Sequence, residues 1–492
     1  MTRRRNEYAS RFMATDLGWN LDNSYARLPA VLFDPSAAAD FPQPKLVIAN
    51  DALARELGLD LSGSGADELA AIFSGQSVPA GATPIAQAYA GHQYGHFTML
   101  GDGRALVLGE QLTPSGARVD IQFKGSGETR YSRRGDGRAA LGPMLREYLV
   151  SEAMHALGIP STRSLAVVAT GETISRPGPK RGAVLARVAA SHIRVGTFQF
   201  AAGLEDVAVL RALADHAISR HDAALTEASD KYGAFLAAVI ARQAALVARW
   251  QCVGFVHGVL NTDNTAVSGE TIDYGPCAFM EAYNPDTVFS SIDHHGRYRY
   301  AHQPAIIQWN LARFAEAMVP LLSDDETVAV ARANEALERF APLYRAAWLA
   351  GMRAKIGLVR EDPDDLALVQ ELLSAMQERR ADFTNAFRAL SSGATPEGLE
   401  AWVARWHARV DRDGRVREET LAAMRAVNPA VIPRNHRVEE ALTAAEERDD
   451  LAPFRELLAV VSQPFELATG HAAYAEPAPN EFSEFYRTFC GT

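Results

Sequence analysis

Two oxygen-bearing side chains, Asn264 and Asp273, lie close together in a loop-rich stretch of the sequence. Mg²⁺ prefers a few oxygen ligands from the protein together with nucleotide phosphates, and an amide and a carboxylate supply such ligands. Asp263, next to the asparagine, is a candidate general base that would take a proton from an attacking hydroxyl group. The alternative is that Asp263 only caps a turn or holds a basic side chain. The stretch therefore predicts metal-assisted transfer chemistry on a nucleotide phosphate.

The wider pattern resembles the catalytic loop and metal motif of protein kinases, H-R-D-x-x-x-x-N followed by D-F-G. His257 stands at the kinase distance from Asn264, and Asp273 begins a D-Y-G. The kinase base would fall two residues after the histidine, where this chain has Val259, which cannot accept a proton. The sequence indicates either an inactive kinase or a nucleotide site with different chemistry, in which Asp263 replaces the missing carboxylate.

Candidate phosphate-binding residues precede this stretch. Gly101 and Gly103 would let backbone N–H groups approach phosphate oxygens, and Arg104 adds a charged donor. Lys124 ends a predicted strand, and Glu147 on the following helix has the spacing of the glutamate that orients the kinase lysine. Each signal alone is weak, but their order along the chain is the order found in kinases.

Arginines are concentrated around the same region. The segment Gly125–Arg138 is rich in glycine and arginine, which suits a loop that folds over a polyphosphate. Arg187 and Arg194 flank a second loop and would join the same anionic pocket. The alternative is a flexible, solvated basic loop. We favour a binding role because the chain as a whole is acidic, with a net charge of −11.

Composition limits the class of protein. A chain of 492 residues is too long for one core and predicts two or three lobes. Its acidic balance argues against general binding of nucleic acid or of anionic membranes. No run approaches the roughly 20 apolar residues that span a bilayer, and no apolar region follows the basic start Met1–Glu7. Three cysteines are too few for a disulfide framework, so we expect a cytoplasmic protein.

The strands and helices that the sequence predicts around these residues indicate an α+β, protein-kinase-like, two-lobed fold. A small sheet-plus-helix N-lobe would precede a large, mostly helical C-lobe. The predicted domains are a lead-in over 1–80, a nucleotide-binding lobe over 81–203 and a helical lobe with the catalytic and metal loops over 204–492. The predicted strands are Arg104–Gly109, Arg118–Phe123, Ser164–Thr170 and Gly182–Val188, and Leu141–Leu157 is a predicted helix. Mostly helical stretches are predicted over Val207–Arg249, Pro304–Ile356, Asp364–Leu390 and Thr395–Val427.

Together, the motifs resemble the selenoprotein O family, also called the YdiU or UPF0061 family. The resemblance covers nearly the whole chain from about residue 10, and the combination of motifs is highly specific. The matching stretches are Ala90–Gly95, Leu100–Arg104, Arg133–Arg138, Ser191–Phe198, Gly254–Asn264, Thr271–Pro276 and Ile432–His436. The resemblance implies a kinase-like fold that transfers AMP from ATP, or UMP from UTP, to Ser, Thr or Tyr hydroxyls of proteins and releases pyrophosphate.

The same resemblance implies a role for individual residues. Asp263 would accept the proton, Asn264 and Asp273 would hold Mg²⁺ or Mn²⁺, and Glu147 would orient the lysine. In this family the nucleotide lies flipped relative to kinases, which exposes the α-phosphate. The implied nucleotide contacts are Gly101, Gly103, Arg104, Lys124, Asp136, Gly137, Arg187, Arg194 and Asp273.

Two alternatives for the function stay open: a conventional kinase that transfers the γ-phosphoryl group, and a non-catalytic nucleotide-binding scaffold. The expected partners are ATP or UTP and substrate proteins, without nucleic acid or membrane. Cys490 stands near the C-terminus, where animal members of the family have selenocysteine. Whether it pairs with Cys277 or Cys252 stays open at this point.

Overall fold

The computed structural model describes residues 17–489, so the basic start and Cys490 lie outside the described residues. The chain is a mixed α/β protein that divides into two compact units. The first unit comprises residues 17–148 and Thr162–Ala228, and the second comprises Leu149–Ser161 and residues 229–489. The described part of the predicted lead-in belongs to the first unit.

An antiparallel sheet of nine strands organises the first unit, and β5 and β6 form a separate hairpin. Along the main path the order is β2-β4-β7-β8-β11-β10-β3, with β1 beside β7 and β9 beside β11. The strands are β1 (Leu21–Asp22), β2 (Phe33–Pro35), β3 (Lys45–Ala49), β4 (Ile85–Gln87), β5 (Ala90–Gln93), β6 (His96–Met99), β7 (Ala105–Leu112), β8 (Arg118–Lys124), β9 (Ala139–Ala140), β10 (Arg163–Arg176) and β11 (Gly178–Ala189).

Helices complete the first unit and share its apolar core. The core joins Leu53 of α1 and Phe73 of α2 to the sheet residues Leu106, Ile121 and Phe123. The helices are α1 (Asp51–Leu57), α2 (Ala66–Phe73), α3 (Leu141–Ala156), α4 (Val195–Ala202) and α5 (Val207–His221). The division into units runs through α3, whose residues 141–148 are counted with the first unit and 149–156 with the second.

Strand β8 shows how the sequence separates the two faces of this sheet. Side chains of a strand alternate between the faces, and Ile121 and Phe123 enter the apolar core. The residues between and beside them, Asp120, Gln122 and Lys124, therefore occupy the opposite face. All three are buried, so that face also lies away from solvent. Buried polar groups need partners, which makes this face a place where a polar network must form.

The second unit is mostly helical. Its apolar core includes Trp402 and Trp406, whose ring N–H groups donate to the carbonyls of Leu368 (2.9 Å) and Ile356 (2.7 Å). One hairpin, β12 (Phe255–Val256) with β13 (Ala278–Phe279), interrupts the helices. The helices are α6 (Lys231–Val253), α7 (Gln303–Leu322), α8 (Glu326–Glu338), α9 (Phe340–Lys355), α10 (Asp365–Glu378), α11 (Phe383–Ser391), α12 (Glu400–Asp411), α13 (Arg417–Arg425), α14 (Asn435–Arg448), α15 (Ala452–Val461) and α16 (Asn480–Phe485).

One helix, α6, is long and apolar enough to cross a membrane by length and composition. More than half of its most apolar window is buried within the protein, and Phe235, Val239 and Trp250 have almost no exposed surface. This burial is typical of a core helix.

Candidate active site

The predicted catalytic and metal motifs lie on one closed loop system in the second unit. The hairpin of β12 and β13 brackets residues 257–277 and brings the two ends of this segment together. The His257 ring donates from Nε2 to the carbonyl of Ile272 (2.9 Å), which ties the first motif to the residue before the second. Gly258 has φ +82°, and a Cβ there would lie 2.3 Å from the Pro276 carbonyl oxygen. His257 is therefore a positioning residue for both loops.

Asp263 and Asn264 share a short 3-10 turn, Thr262–Asn264. The Asn264 amide donates from Nδ2 to the carbonyl of Val259 (2.9 Å), which turns its Oδ1 away from that carbonyl. The residue at the kinase base position thus contributes its backbone, and the valine side chain takes no part in that contact. Asp263 is largely buried within the second unit.

Buried amides hold this turn in place. Asn310 donates to the Leu260 carbonyl (3.1 Å) and to Thr265 Oγ1 (2.9 Å). Asn261 accepts a hydrogen bond from the Tyr298 hydroxyl group (2.5 Å). These hydrogen bonds from Asn310 and Tyr298 restrain the backbone on both sides of Asp263.

Asp273 has a left-handed backbone, with φ +63°. This region is uncommon for residues other than glycine, and such strain is found most often at functional sites. The Gly275 N–H donates to the Asp273 carbonyl (2.9 Å), and the Tyr274 hydroxyl group is hydrogen-bonded to Ser161. These two contacts help to hold the backbone of the D-Y-G turn in this conformation.

The donor set fits a hard cation. Asn264 and Asp273 offer an amide oxygen and a carboxylate, the oxygen ligands that Mg²⁺ and Mn²⁺ accept. Within residues 17–489, no three His, Cys, Asp or Glu side chains form a group that could hold a metal ion. A metal held by Asn264 and Asp273 therefore needs further ligands such as nucleotide phosphates, which is how Mg²⁺ is usually bound.

The first unit contains the predicted lysine–glutamate pair. Lys124 Nζ lies 2.6 Å from Glu147 Oε2, and both side chains are buried. Arg187 approaches the other oxygen of the same carboxylate, with Nη1 2.9 Å from Glu147 Oε1. Glu147 thus bridges two of the predicted phosphate-binding cations. Removing one partner from such a buried pair typically costs about 3–5 kcal/mol of stability.

A chain of polar contacts links this cluster to Arg194. Gln122 accepts from Arg187 Nε (2.7 Å) and donates to Asp102 Oδ2 (3.3 Å). Asp102 in turn lies 3.7 Å from Arg194, whose guanidinium group stacks 4.4 Å from the centre of the Tyr89 ring. Sequence reasoning missed Gln122 and Asp102. The polar residues at alternate positions of β8 were the available signal.

The glycine-rich turn packs against the arginine-rich loop of its own unit. A Cβ on Gly101 would lie 2.4 Å from the Tyr131 ring, and one on Gly103 would lie 2.8 Å from the Tyr131 carbonyl oxygen. Thr129 donates to the Asp102 carbonyl (2.6 Å). Close packing therefore requires both glycines, whether or not their N–H groups also bind phosphate.

Three further predicted contacts lie in the same unit. Arg104 is half-buried at the end of the glycine-rich turn. Asp136 pairs with Arg176 (2.8 Å), and this hydrogen bond holds the pKa of the Asp136 carboxyl group below its usual range. A Cβ on Gly137 would lie 2.1 Å from the backbone of Gly127. A nucleotide contact by these residues stays a prediction.

A second buried ionic network, which the sequence did not suggest, extends along the polar face of the sheet. Asp120 accepts from Arg220 (2.9 Å) and from the backbone N–H of His192 (2.8 Å). Burial raises the pKa of Asp120, but Arg220 and His192 outweigh it and hold that pKa well below its usual range. Glu110 shares Arg220 with Asp120, at 3.2 Å. The network joins β7, β8 and α5 and stabilises the face that carries Lys124.

Two histidines beside this network predict a loss of stability in weak acid. Burial lowers the pKa of His192 and of His216 to about 4, below the unfolded value of 6.5. The unfolded chain then binds more protons below pH 6.5, so stability decreases from there down to about pH 4. Between pH 7 and pH 5 we expect a loss of about 2 kcal/mol per histidine in the free energy of unfolding.

Urea unfolding at both pH values measures this loss. In the matched variant His216→Phe, which keeps a ring against Tyr25, about half of the pH dependence should disappear. A variant with the full wild-type pH dependence would show that His216 does not contribute to it.

Comparison with known proteins extends this picture. A family model described as "Protein adenylyltransferase SelO" matches residues 17–462. The chain is also similar to bacterial proteins named "Protein nucleotidyltransferase YdiU". The protein from Geobacillus kaustophilus is 56% identical over 97% of this chain and 100% of its own length. Those from Rhizobium etli (55%, over 96% and 97%) and Halalkalibacterium halodurans (54%, over 97% and 98%) are similarly close.

Proposed function

The chain belongs to the SelO family of protein adenylyltransferases, and we propose that it transfers AMP from ATP to Ser, Thr or Tyr hydroxyl groups of proteins. One observation carries this proposal. The same chain has the buried Lys124–Glu147 pair and the predicted metal ligands Asn264 and Asp273, while Val259 stands where a kinase has its base. A scaffold has no need of all these residues, and a conventional kinase needs the base.

The fold supports the same reading. An antiparallel sheet with a lysine–glutamate pair in one unit, and a mostly helical second unit with the predicted catalytic loop, are compatible with a protein-kinase-like fold. We therefore propose that fold for the chain, with the cytoplasm as its expected compartment.

In the proposed mechanism, the first unit binds the triphosphate. Lys124, Arg187 and Arg194 neutralise its phosphate oxygens, and Glu147 orients Lys124 and Arg187 through its two carboxylate oxygens. Burial strengthens these charge-assisted hydrogen bonds because the local dielectric constant is low. Arg104, which is half-buried, would bind a further phosphate oxygen.

The second unit supplies the residues for the chemical step. The resemblance to the family implies that these residues and the phosphate-binding residues of the first unit act on the same nucleotide. Asp263 accepts the proton of the substrate hydroxyl group as its oxygen forms a bond to the α-phosphorus. The bond between the α-phosphorus and the bridging oxygen then breaks, and pyrophosphate leaves. Asn264 and Asp273 would hold Mg²⁺ or Mn²⁺, which neutralises charge on the phosphates when bound. Catalysis is then mainly positioning and electrostatic stabilisation.

Labelled nucleotides test the proposal. We expect radioactivity from α-labelled ATP, but not from γ-labelled ATP, to become covalently attached to protein, because the α-phosphorus is the atom attacked. The measurement is autoradiography of denatured protein after incubation with Mg²⁺ or Mn²⁺. Incorporation of the γ-label would show a conventional kinase, and incorporation of neither label would favour a scaffold. α-Labelled UTP, tested in parallel, shows whether UMP is transferred as well as AMP.

A further inference from the structure

Gln87, at the end of β4, has an unusual environment. Its side chain is 1% exposed, and within residues 17–489 neither its amide oxygen nor its amide nitrogen has a hydrogen-bond partner. The backbone of the same residue is fully engaged. Its N–H donates to Asp102 Oδ2 (3.0 Å), and its carbonyl accepts from the Asp102 N–H (2.9 Å). The backbone is therefore anchored to the glycine-rich turn, while the side-chain amide has no hydrogen-bond partner in the described part of the chain.

Such an amide calls for an explanation, because a buried polar group without a partner costs stability. The same sheet can satisfy a buried glutamine. Gln111 on β7 is also 1% exposed, accepts from the Asn20 N–H (3.0 Å) and donates to the Leu57 carbonyl (3.0 Å). The contrast between the two glutamines indicates that the amide of Gln87 serves a molecule other than the protein.

The register of the sheet places this amide near the predicted phosphate-binding cluster. Ile85 lies opposite Val107 in the β4–β7 ladder, and Gln87, two residues further along β4, faces the same side of the sheet. Val107 in turn lies opposite Gln122 in the β7–β8 ladder, and Lys124 is two residues further along β8. Gln87 and Lys124 are thus on one face, two strands apart.

We propose that Gln87 is a further contact of the nucleoside triphosphate, with its amide N–H group donating to a phosphate oxygen that Lys124 also binds. This inference rests on the proposed function and deepens it. A phosphate oxygen only accepts hydrogen bonds, so the amide nitrogen is the atom in contact. Because the amide is neutral, it adds a directional hydrogen bond without further charge, which suits a position beside a buried cation.

Substitution of Gln87 tests the inference in the full-length protein. Gln87→Met keeps the length of the side chain and removes its polar atoms. We expect binding of ATP, measured by calorimetry with Mg²⁺, to weaken about tenfold, the effect of losing one hydrogen bond to a charged group. Binding of AMP, which lacks the terminal phosphates, should change little. Gln87→Glu sets a carboxylate against the phosphate and should weaken ATP binding further.

Thermal unfolding separates binding from structure. Without nucleotide, Gln87→Met should match or exceed the wild-type melting temperature, because it removes an unsatisfied buried amide. Gln111→Met is the matched control and should melt at a lower temperature, because it leaves the partners of Gln111 unpaired.

The outcomes distinguish the inference from the function on which it rests. Two results would overturn the role of Gln87 and leave the proposed function intact. One is unchanged ATP binding in Gln87→Met. The other is an equal loss of ATP and AMP binding together with a lowered melting temperature. Wild-type protein that binds no triphosphate overturns both.

Discussion

Replacing Asp273 by Ala is expected to reduce transfer of the α-label to protein at least about 10³-fold, to the background of the assay. Asp273 is the one carboxylate in the proposed metal pair, and its left-handed backbone is held by the surrounding loop. Removing it leaves Asn264 as the only protein oxygen of that pair. Charge that develops on the phosphates would then lack its main neutralising group.

The experiment compares initial rates of label incorporation over a range of Mn²⁺ and Mg²⁺ concentrations. Asp273→Asn keeps an oxygen ligand without the charge and should retain slightly more activity, with a requirement for more metal. Asp365→Asn is the matched control, because Asp365 is a fully buried carboxylate in the same unit that pairs with Arg409 (2.8 Å). It should lower stability but not the rate of the folded enzyme. Full activity in Asp273→Ala would disprove the metal assignment.

The second large effect is expected at Asp263. Asp263→Asn should lower kcat by about 10²–10⁴-fold, the usual contribution of a general base. The substitution preserves the shape of the side chain within a turn that buried amides hold, so the fold should be maintained. The affinity for ATP should remain close to that of the wild type, because Asp263 acts on the hydroxyl group and not on the phosphates.

Single-turnover incorporation of α-label, with ATP binding measured separately, resolves these two quantities. The alternative for Asp263 is a purely structural role as a turn cap or ion-pair partner. In that case Asp263→Asn would lower the melting temperature and leave kcat of the folded fraction unchanged. A matched control is Asp293→Asn, since Asp293 caps a nearby turn through the N–H groups of Arg297 and Tyr298 (both 2.8 Å).

Sequence reasoning located four strands of the first unit, β7, β8, β10 and β11, and its helix α3, but not β1–β6, β9, α1, α2 or α4. Helix α3 (Leu141–Ala156) coincides with the predicted helix, and the strand pattern before it appears as β7 and β8. The signals were local: period-two alternation, a glycine after the helix and a proline beyond it. The Lys124–Glu147 ion pair is present because a strand and the helix that follows it are neighbours in the fold.

The helical stretches predicted from residue 207 onward are helical, but the sequence did not show where they break. The stretch over 364–390 is two helices, α10 and α11. Arg380 has φ +52° between them, and Asp382 accepts from the Asn385 N–H as the N-cap of α11. Likewise, 207–249, 304–356 and 395–427 divide into two, three and two helices. Continuous apolar periodicity hides such breaks because each segment continues to bury one face.

The sequence by itself determined the chemistry that this protein can perform. The spacing of His257, Asn264 and Asp273 and the loss of the base at Val259 are local facts, and a short loop keeps such residues near one another. The family follows from the same motifs. These features could be read without a structure because they depend on separations of a few residues.

Only the tertiary structure decided how the cations are held. Glu147 bridges Lys124 and Arg187, Gln122 links Arg187 to Asp102, and Gln87 shares a face with Lys124. Strand pairing between segments far apart in sequence sets these contacts, and a shift of one residue in register would turn each side chain to the opposite face. Packing of the whole core selects that register, so no local pattern in the chain could reveal it.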